Sequence, residues 1–318
     1  MLTSRTRSRV IPLTVLALTG LTGLTACGGA SAGGSGKTEI TASFYPVAWL
    51  AGRIGGPDVS VQTLTKPGAE PHDLELTPRQ IADVGKADFA VYVKGVQPAV
   101  DEAVAKHAKD KSLDAASVVK TLPVPTGGEE EEHEHGHEHE HGHEDAPYDP
   151  HIWLDPTRMA AVATKLGDRL AAADSDHASA YRSRAKAVAG ELGALDQDYR
   201  GGLRACKHKA IVTAHAAFGY LAERYGLQQV SVAGVDPTNE PSPKRLGELT
   251  RQIKTTGATT VFTETLVSPK VAQTLAKEAG VKTAVLDPVE GVEKGSPDDY
   301  MSIMKKNLET LRPALECS

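Results

Sequence analysis

A small capping residue followed by proline recurs along the chain, at Thr77-Pro78, Asp155-Pro156, Ser242-Pro243, Ser268-Pro269 and Ser296-Pro297. Ser, Thr or Asp can accept from a free N–H of a first helical turn, and proline loses nothing there because its missing N–H would be unpaired anyway. Read with these starts, apolar strand-length runs alternate with helix-length segments. Strands are predicted at 38–44, 59–64 and 88–93, with helices at 46–54, from Thr77-Pro78, at 98–108 and from Pro156 to about 172. The second half repeats the pattern, with strands at 210–213, 229–233, 259–263 and 281–286 and helices at 218–225, 243–255, 269–279 and 297–315. Strands separated by helices pair in parallel, so the expected fold class is α/β, each sheet flanked by helices.

A chain of 318 residues is too long for one small core and suits two lobes. Between the two alternating halves, Tyr181, Ala185, Val188, Leu192, Leu195 and Tyr199 are spaced four or three apart, which draws one apolar stripe down a helix. That helix, placed in 175–203, would run roughly 40 Å at 1.5 Å per residue. It is read as a rigid connector between lobes 38–174 and 204–318; the alternative is a long helix packed within one domain.

The start of the chain carries Arg5, Arg7 and Arg9, then an apolar run, then Leu24-Thr25-Ala26-Cys27. This order reads as an export signal, 1–27, ending in a lipoprotein cleavage box whose cysteine, Cys27, is lipidated. Residues 28–37 are then a Gly/Ser-rich tether. The formal net charge of −6, more negative still without the leader arginines, argues against a nucleic-acid partner and suits attraction of cations. Cys206 and Cys317 remain, in a compartment that permits disulfides, and are expected to pair.

Six histidines lie outside one dense run: His72, His107, His151, His177, His208 and His215. His107, His177 and His208 sit among polar residues and read as solvated surface. His72, His151 and His215 sit in loops near strand ends, where ligands gather in parallel sheets. Three imidazoles and one carboxylate suit a tetrahedral zinc ion, and Asp287, directly after a predicted strand, is taken as the fourth ligand. Glu70, Glu240 and Glu264 are the other acidic candidates, with Glu240 and Asp155 assigned to orienting the histidines through their second ring nitrogen. The dense run, 129–145, holds His133, His135, His137, His139, His141 and His143 among eight glutamates. It cannot build a core and is read as an auxiliary zinc-collecting loop, or else as a solvating acidic segment.

Four stretches together resemble the zinc/manganese substrate-binding lipoproteins of bacterial ABC importers. They are 71–78 (PHDLELTP), 149–156 (DPHIWLDP), 213–221 (TAHAAFGYL) and 239–243 (NEPSP). The resemblance implies two lobes joined by one long helix with metal in the cleft, two ligands from each lobe, matching His72, His151, His215 and Asp287. It implies a monomeric extracytoplasmic protein, lipid-anchored to the membrane, that captures Zn²⁺ and delivers it to an ABC permease. Histidine at the third position favours zinc over manganese. A zinc-dependent surface hydrolase is the competing expectation, since three histidines also form a catalytic zinc site, and an adhesin-like or manganese-binding surface lipoprotein is a third.

Overall fold

The computed structural model describes residues 36–125, 148–238 and 241–318. Cys27, the histidine-rich run 129–145 and Glu240 lie outside the described residues. The alternation read from the sequence gives two four-stranded parallel sheets. The first contains β1 (Thr38–Ala42), β2 (Val59–Thr63), β3 (Phe89–Tyr92) and β4 (Ser112–Asp114), in the order β2-β1-β3-β4. The second contains β5 (Ala210–Thr213), β6 (Gln228–Ser231), β7 (Thr260–Thr263) and β8 (Lys282–Val285), in the equivalent order β6-β5-β7-β8. Ile40 lies between Val61 and Phe89 in the first, and Val212 between Val230 and Val261 in the second. The sequence reading passed over β4, whose three residues Ser-Leu-Asp carry too little pattern to register alone.

Helices α1 (Tyr45–Gly55), α2 (Pro78–Lys86), α3 (Pro98–His107) and α4 (Pro156–Ala173) belong to the first half. After the connecting α5 (Ala178–Leu203) come α6 (Gly219–Tyr225), α7 (Pro243–Thr256), α8 (Lys270–Ala279) and α9 (Tyr300–Ala314). Capping chemistry sets the starts. Thr77 and Gln80 form a reciprocal capping box at α2, Asp155 accepts from the Thr157 and Arg158 N–H groups at α4, and Ser242 accepts from Arg245 at α7. At α9 the expected start at Pro297 is wrong by three residues, because Asp299 and Ser302 form the capping box there instead.

The 26-residue α5 buries Tyr181, Ala185, Val188, Leu192, Leu195 and Tyr199, the stripe visible in the sequence. One continuous core runs from Ile40, Phe44 and Leu50 of the first half through this stripe to Leu221, Tyr300 and Leu311 of the second. Smaller clusters pack α2 and α3 on the far face of the first sheet (Val84, Val100, Val104) and α7 and α8 on that of the second (Leu249, Ile253, Leu275). The two lobes therefore share a core along α5. Tyr199 sends its hydroxyl to the Met304 carbonyl at 2.6 Å and stacks on Tyr225, which fixes the end of α5 against the second lobe.

Cys206 and Cys317 are joined by a disulfide, 111 residues apart in sequence, and their backbones form an antiparallel bridge. A cross-link closing a loop of that length restricts the unfolded chain by an amount worth about 4 to 5 kcal/mol in the chain-entropy limit, and native disulfides deliver about 2 to 5. Reduction, or Cys317→Ala, is expected to lower the free energy of unfolding by about 2 to 4 kcal/mol, read as a denaturant midpoint with and without reductant. An unchanged midpoint would show that the tie contributes nothing.

Candidate metal centre

All four chain segments that meet in the cleft follow carboxyl ends of strands, as parallel sheets require. His72 lies in the loop after β2, His151 between β4 and α4, His215 two residues beyond β5, and Glu290 in the loop after β8. One nitrogen from each histidine and one carboxylate oxygen of Glu290 lie within 4.8 Å of one another. Glu290 Oε1 is 3.6 Å from His72 Nε2, 3.5 Å from His151 Nε2 and 3.3 Å from His215 Nε2. These gaps are too long for good hydrogen bonds. They match the edge of a tetrahedron about 3.3 to 3.4 Å long, which follows from zinc–ligand bonds of about 2.0 to 2.1 Å.

The three Nε2 atoms and both Glu290 oxygens are buried without a hydrogen-bond partner. Each would carry a desolvation penalty of about 1 to 3 kcal/mol if left unpaired, and four of them, one from each residue, lie together. A divalent cation satisfies them together.

Two of the histidines are oriented in the same way. Asp149 Oδ1 accepts from the His151 backbone N–H at 3.0 Å and lies 2.7 Å from its ring Nδ1. Glu264 Oε1 accepts from the His215 backbone N–H at 3.1 Å and lies 2.7 Å from its Nδ1. A carboxylate at Nδ1 keeps the proton there and presents the Nε2 lone pair to the ion. The loop bearing His72 is held by the buried Gln97, whose amide donates to the Pro71 carbonyl at 3.0 Å and to Thr65 Oγ1 at 2.8 Å.

Burial alone would push the His215 imidazole down, yet the charges of Glu264 and Glu290 hold it well above its ordinary value. His151 is likewise raised, with Asp149 outweighing burial. Glu290 would be pushed up by burial, but the facing histidines, His215 foremost, hold it well below the usual carboxylate range. Glu70, which accepts from the His72 N–H, is pushed up to about 8 by burial and then by the Glu290 charge.

The structure thus brings together His72, His151 and His215, and corrects the fourth position. Asp287 does not face the cluster: Oδ1 accepts from the Val289 N–H at 2.7 Å and Oδ2 from the Thr265 hydroxyl at 3.1 Å. Asp287 closes a turn in which Val289 takes φ of 60°, an uncommon conformation for a β-branched residue, costing about 1 to 3 kcal/mol. The indole N–H of Trp153 donates to the Pro288 carbonyl at 2.7 Å and holds the turn in place. Glu290 is aimed inward as a result, and sequence reasoning missed it because that backbone reversal has no signature in Asp-Pro-Val-Glu.

Asp155 is corrected as well. It caps α4 and pairs with Arg158 Nη1 at 2.6 Å, so it orients no histidine. Asp149, two residues before His151, takes that role, and the Asp-Pro-His spacing was the signal available for it. Glu264, counted only among acidic alternatives, serves His215.

The description of a family model, the zinc-uptake complex component A, periplasmic, matches residues 40–314. The chain belongs to this zinc-uptake component A family. The zinc-binding protein AdcA of Streptococcus pyogenes serotype M3 is 40% identical over 287 residues, covering 87% of this chain and 56% of AdcA. The chain therefore spans little more than half the length of AdcA. The high-affinity zinc uptake system protein ZnuA of Bacillus subtilis is 35% identical over 298 residues, covering 91% of this chain and 93% of ZnuA. Among solved structures, Zn(II)-bound AdcA from Streptococcus pneumoniae aligns with a TM-score of 0.73 at 33% identity, over 88% of this chain and 58% of that one. The laminin-binding adhesin Lmb of Streptococcus agalactiae, in a mutant structure, aligns with a TM-score of 0.76 at 29% identity, over 88% and 100% of the two chains. The fold described above is thus shared with these two solved structures.

Proposed function

We propose that this protein is an extracytoplasmic zinc carrier that binds one Zn²⁺ through His72, His151, His215 and Glu290 and passes it to an ABC permease. The observation that carries the reading is the gathering of four unpartnered buried ligand atoms, three imidazole nitrogens and Glu290 Oε1, with the oxygen at tetrahedral-edge distances from the nitrogens. Three nitrogens and one carboxylate suit zinc better than manganese, which prefers oxygen ligands. Membership of the zinc-uptake family, the zinc-binding name of AdcA and the zinc-uptake name of ZnuA support the same cargo.

A fourth protein ligand closes the cage, whereas catalytic zinc keeps a position open for water, which favours carriage over hydrolysis. Cys27 in its cleavage-box setting supports lipid anchoring beside the permease, and the run 129–145 supports an auxiliary zinc-collecting role. Competition titration of the chain lacking 129–145 is expected to find one tight Zn²⁺ per chain that out-competes Mn²⁺ and is weakened by His72→Ala, His151→Ala and His215→Ala. Tight binding that vanished with the deletion and ignored these substitutions would move the site to the histidine-rich run.

A further inference from the structure

We infer that Gly219 and Tyr220, on the second lobe, are positioning residues for His151, a ligand carried by the first; the inference rests on the zinc reading above. The link is Asp149. Its Oδ1 serves His151, while its Oδ2 is buried and without a hydrogen-bond partner. A β-carbon at Gly219 would come within 2.6 Å of that Oδ2. Real β-carbons essentially never lie that close, so the carboxylate would have to shift, and Asp149, 1% exposed, has little room to do so. Gly219 has no positive φ, so the backbone does not require glycine there, and alanine is the better helix former. What requires glycine is the close approach of Asp149.

Tyr220 fixes the same residue from its main chain. Its hydroxyl donates to the Asp149 carbonyl at 2.5 Å and accepts from the Leu122 N–H at 3.0 Å, while the Asp149 N–H donates to the Leu122 carbonyl at 2.9 Å. The Arg158 guanidinium, 4.7 Å from the Tyr220 ring centroid, holds the phenol in place. The second lobe therefore sets the carboxylate that sets His151. It carries His215, Glu264 and Glu290 itself and reaches across to the orienting group of a first-lobe ligand as well.

A double-mutant cycle on the full chain tests this, with zinc competition and the visible spectrum of bound Co²⁺ as readouts. Gly219→Ala is expected to weaken zinc about tenfold and to alter the Co²⁺ spectrum, because displacing an orienting carboxylate typically lowers metal affinity by about ten- to a hundredfold. In an Asp149→Ala background the added methyl meets no carboxylate, so Gly219→Ala should then change affinity by less than about twofold. Tyr220→Phe, which leaves the packing intact, should also weaken zinc severalfold. Parent-like affinity in Gly219→Ala, or a loss that adds in full to that of Asp149→Ala, would overturn the inference while leaving the zinc site standing. A parent protein insensitive to His151→Ala would remove the site itself, and this inference with it.

Discussion

Glu290→Gln is expected to weaken zinc binding by about a hundred- to a thousandfold, whereas Asp287→Asn should leave affinity within about threefold. Structural four-ligand zinc sites bind with about 10 to 16 kcal/mol, so one ligand of four carries about 2.5 to 4 kcal/mol, or two to three decades. Glutamine keeps the shape of Glu290 but replaces an anion by a weakly coordinating amide, facing three nitrogens in a cluster where Glu290 itself is 1% exposed. Asparagine at 287 keeps one oxygen for the turn bonds to Val289 or Thr265 and touches no ligand atom. Competition against a calibrated chelator distinguishes the two. Losses in the reverse order would restore Asp287 as the ligand and show that the turn rearranges when metal enters.

Zinc affinity should fall by about a hundredfold or more between pH 7.5 and 5.5, because binding must displace protons, at up to about tenfold per pH unit for each one. The raised His151 and His215 are the groups that lose them. The metal-free protein should show the opposite trend. Histidines raised above about 6.5 contribute stability that is complete below that pH and is lost as pH rises through their folded values. Glu290, depressed, contributes stability that is complete above about 4.5 and is lost as pH falls through its folded value. The cluster thus favours the metal-free fold most between about pH 4.5 and 6.5. The zinc-induced rise in Tm should grow from pH 5.5 to 7.5. Metal-free stability that climbed steadily through pH 6.5 to 8.5, with flat zinc affinity, would contradict the charge states assigned to the site.

Three of the four candidate ligands were legible because histidine outside the dense run is scarce, and His72, His151 and His215 alone sit in loops beyond strands. The fourth was not. Asp287 follows β8 directly and looks like the strand-end carboxylate, but its side chain is used up by the turn it caps. The orienting acids divide in the same manner. Asp149 is local to His151 and could have been found from spacing, whereas Glu264 meets His215 from 49 residues away through the pairing of β5 with β7.

What the sequence determined by itself was governed by neighbours within a few residues. Capping residues and prolines placed the starts of α2, α4 and α7, the 4-3-4-3-4 stripe placed α5 and its buried face, and the alternation of runs required parallel sheets. What only the tertiary structure decided was which acid joins the three histidines and which residues aim them. Those outcomes depend on contacts such as Trp153 with Pro288, 135 residues apart, and Tyr220 with Asp149, 71 apart. A residue's type sets what it can ligate, but its direction is set by the packed chain around it, and that packing is not written in any one segment.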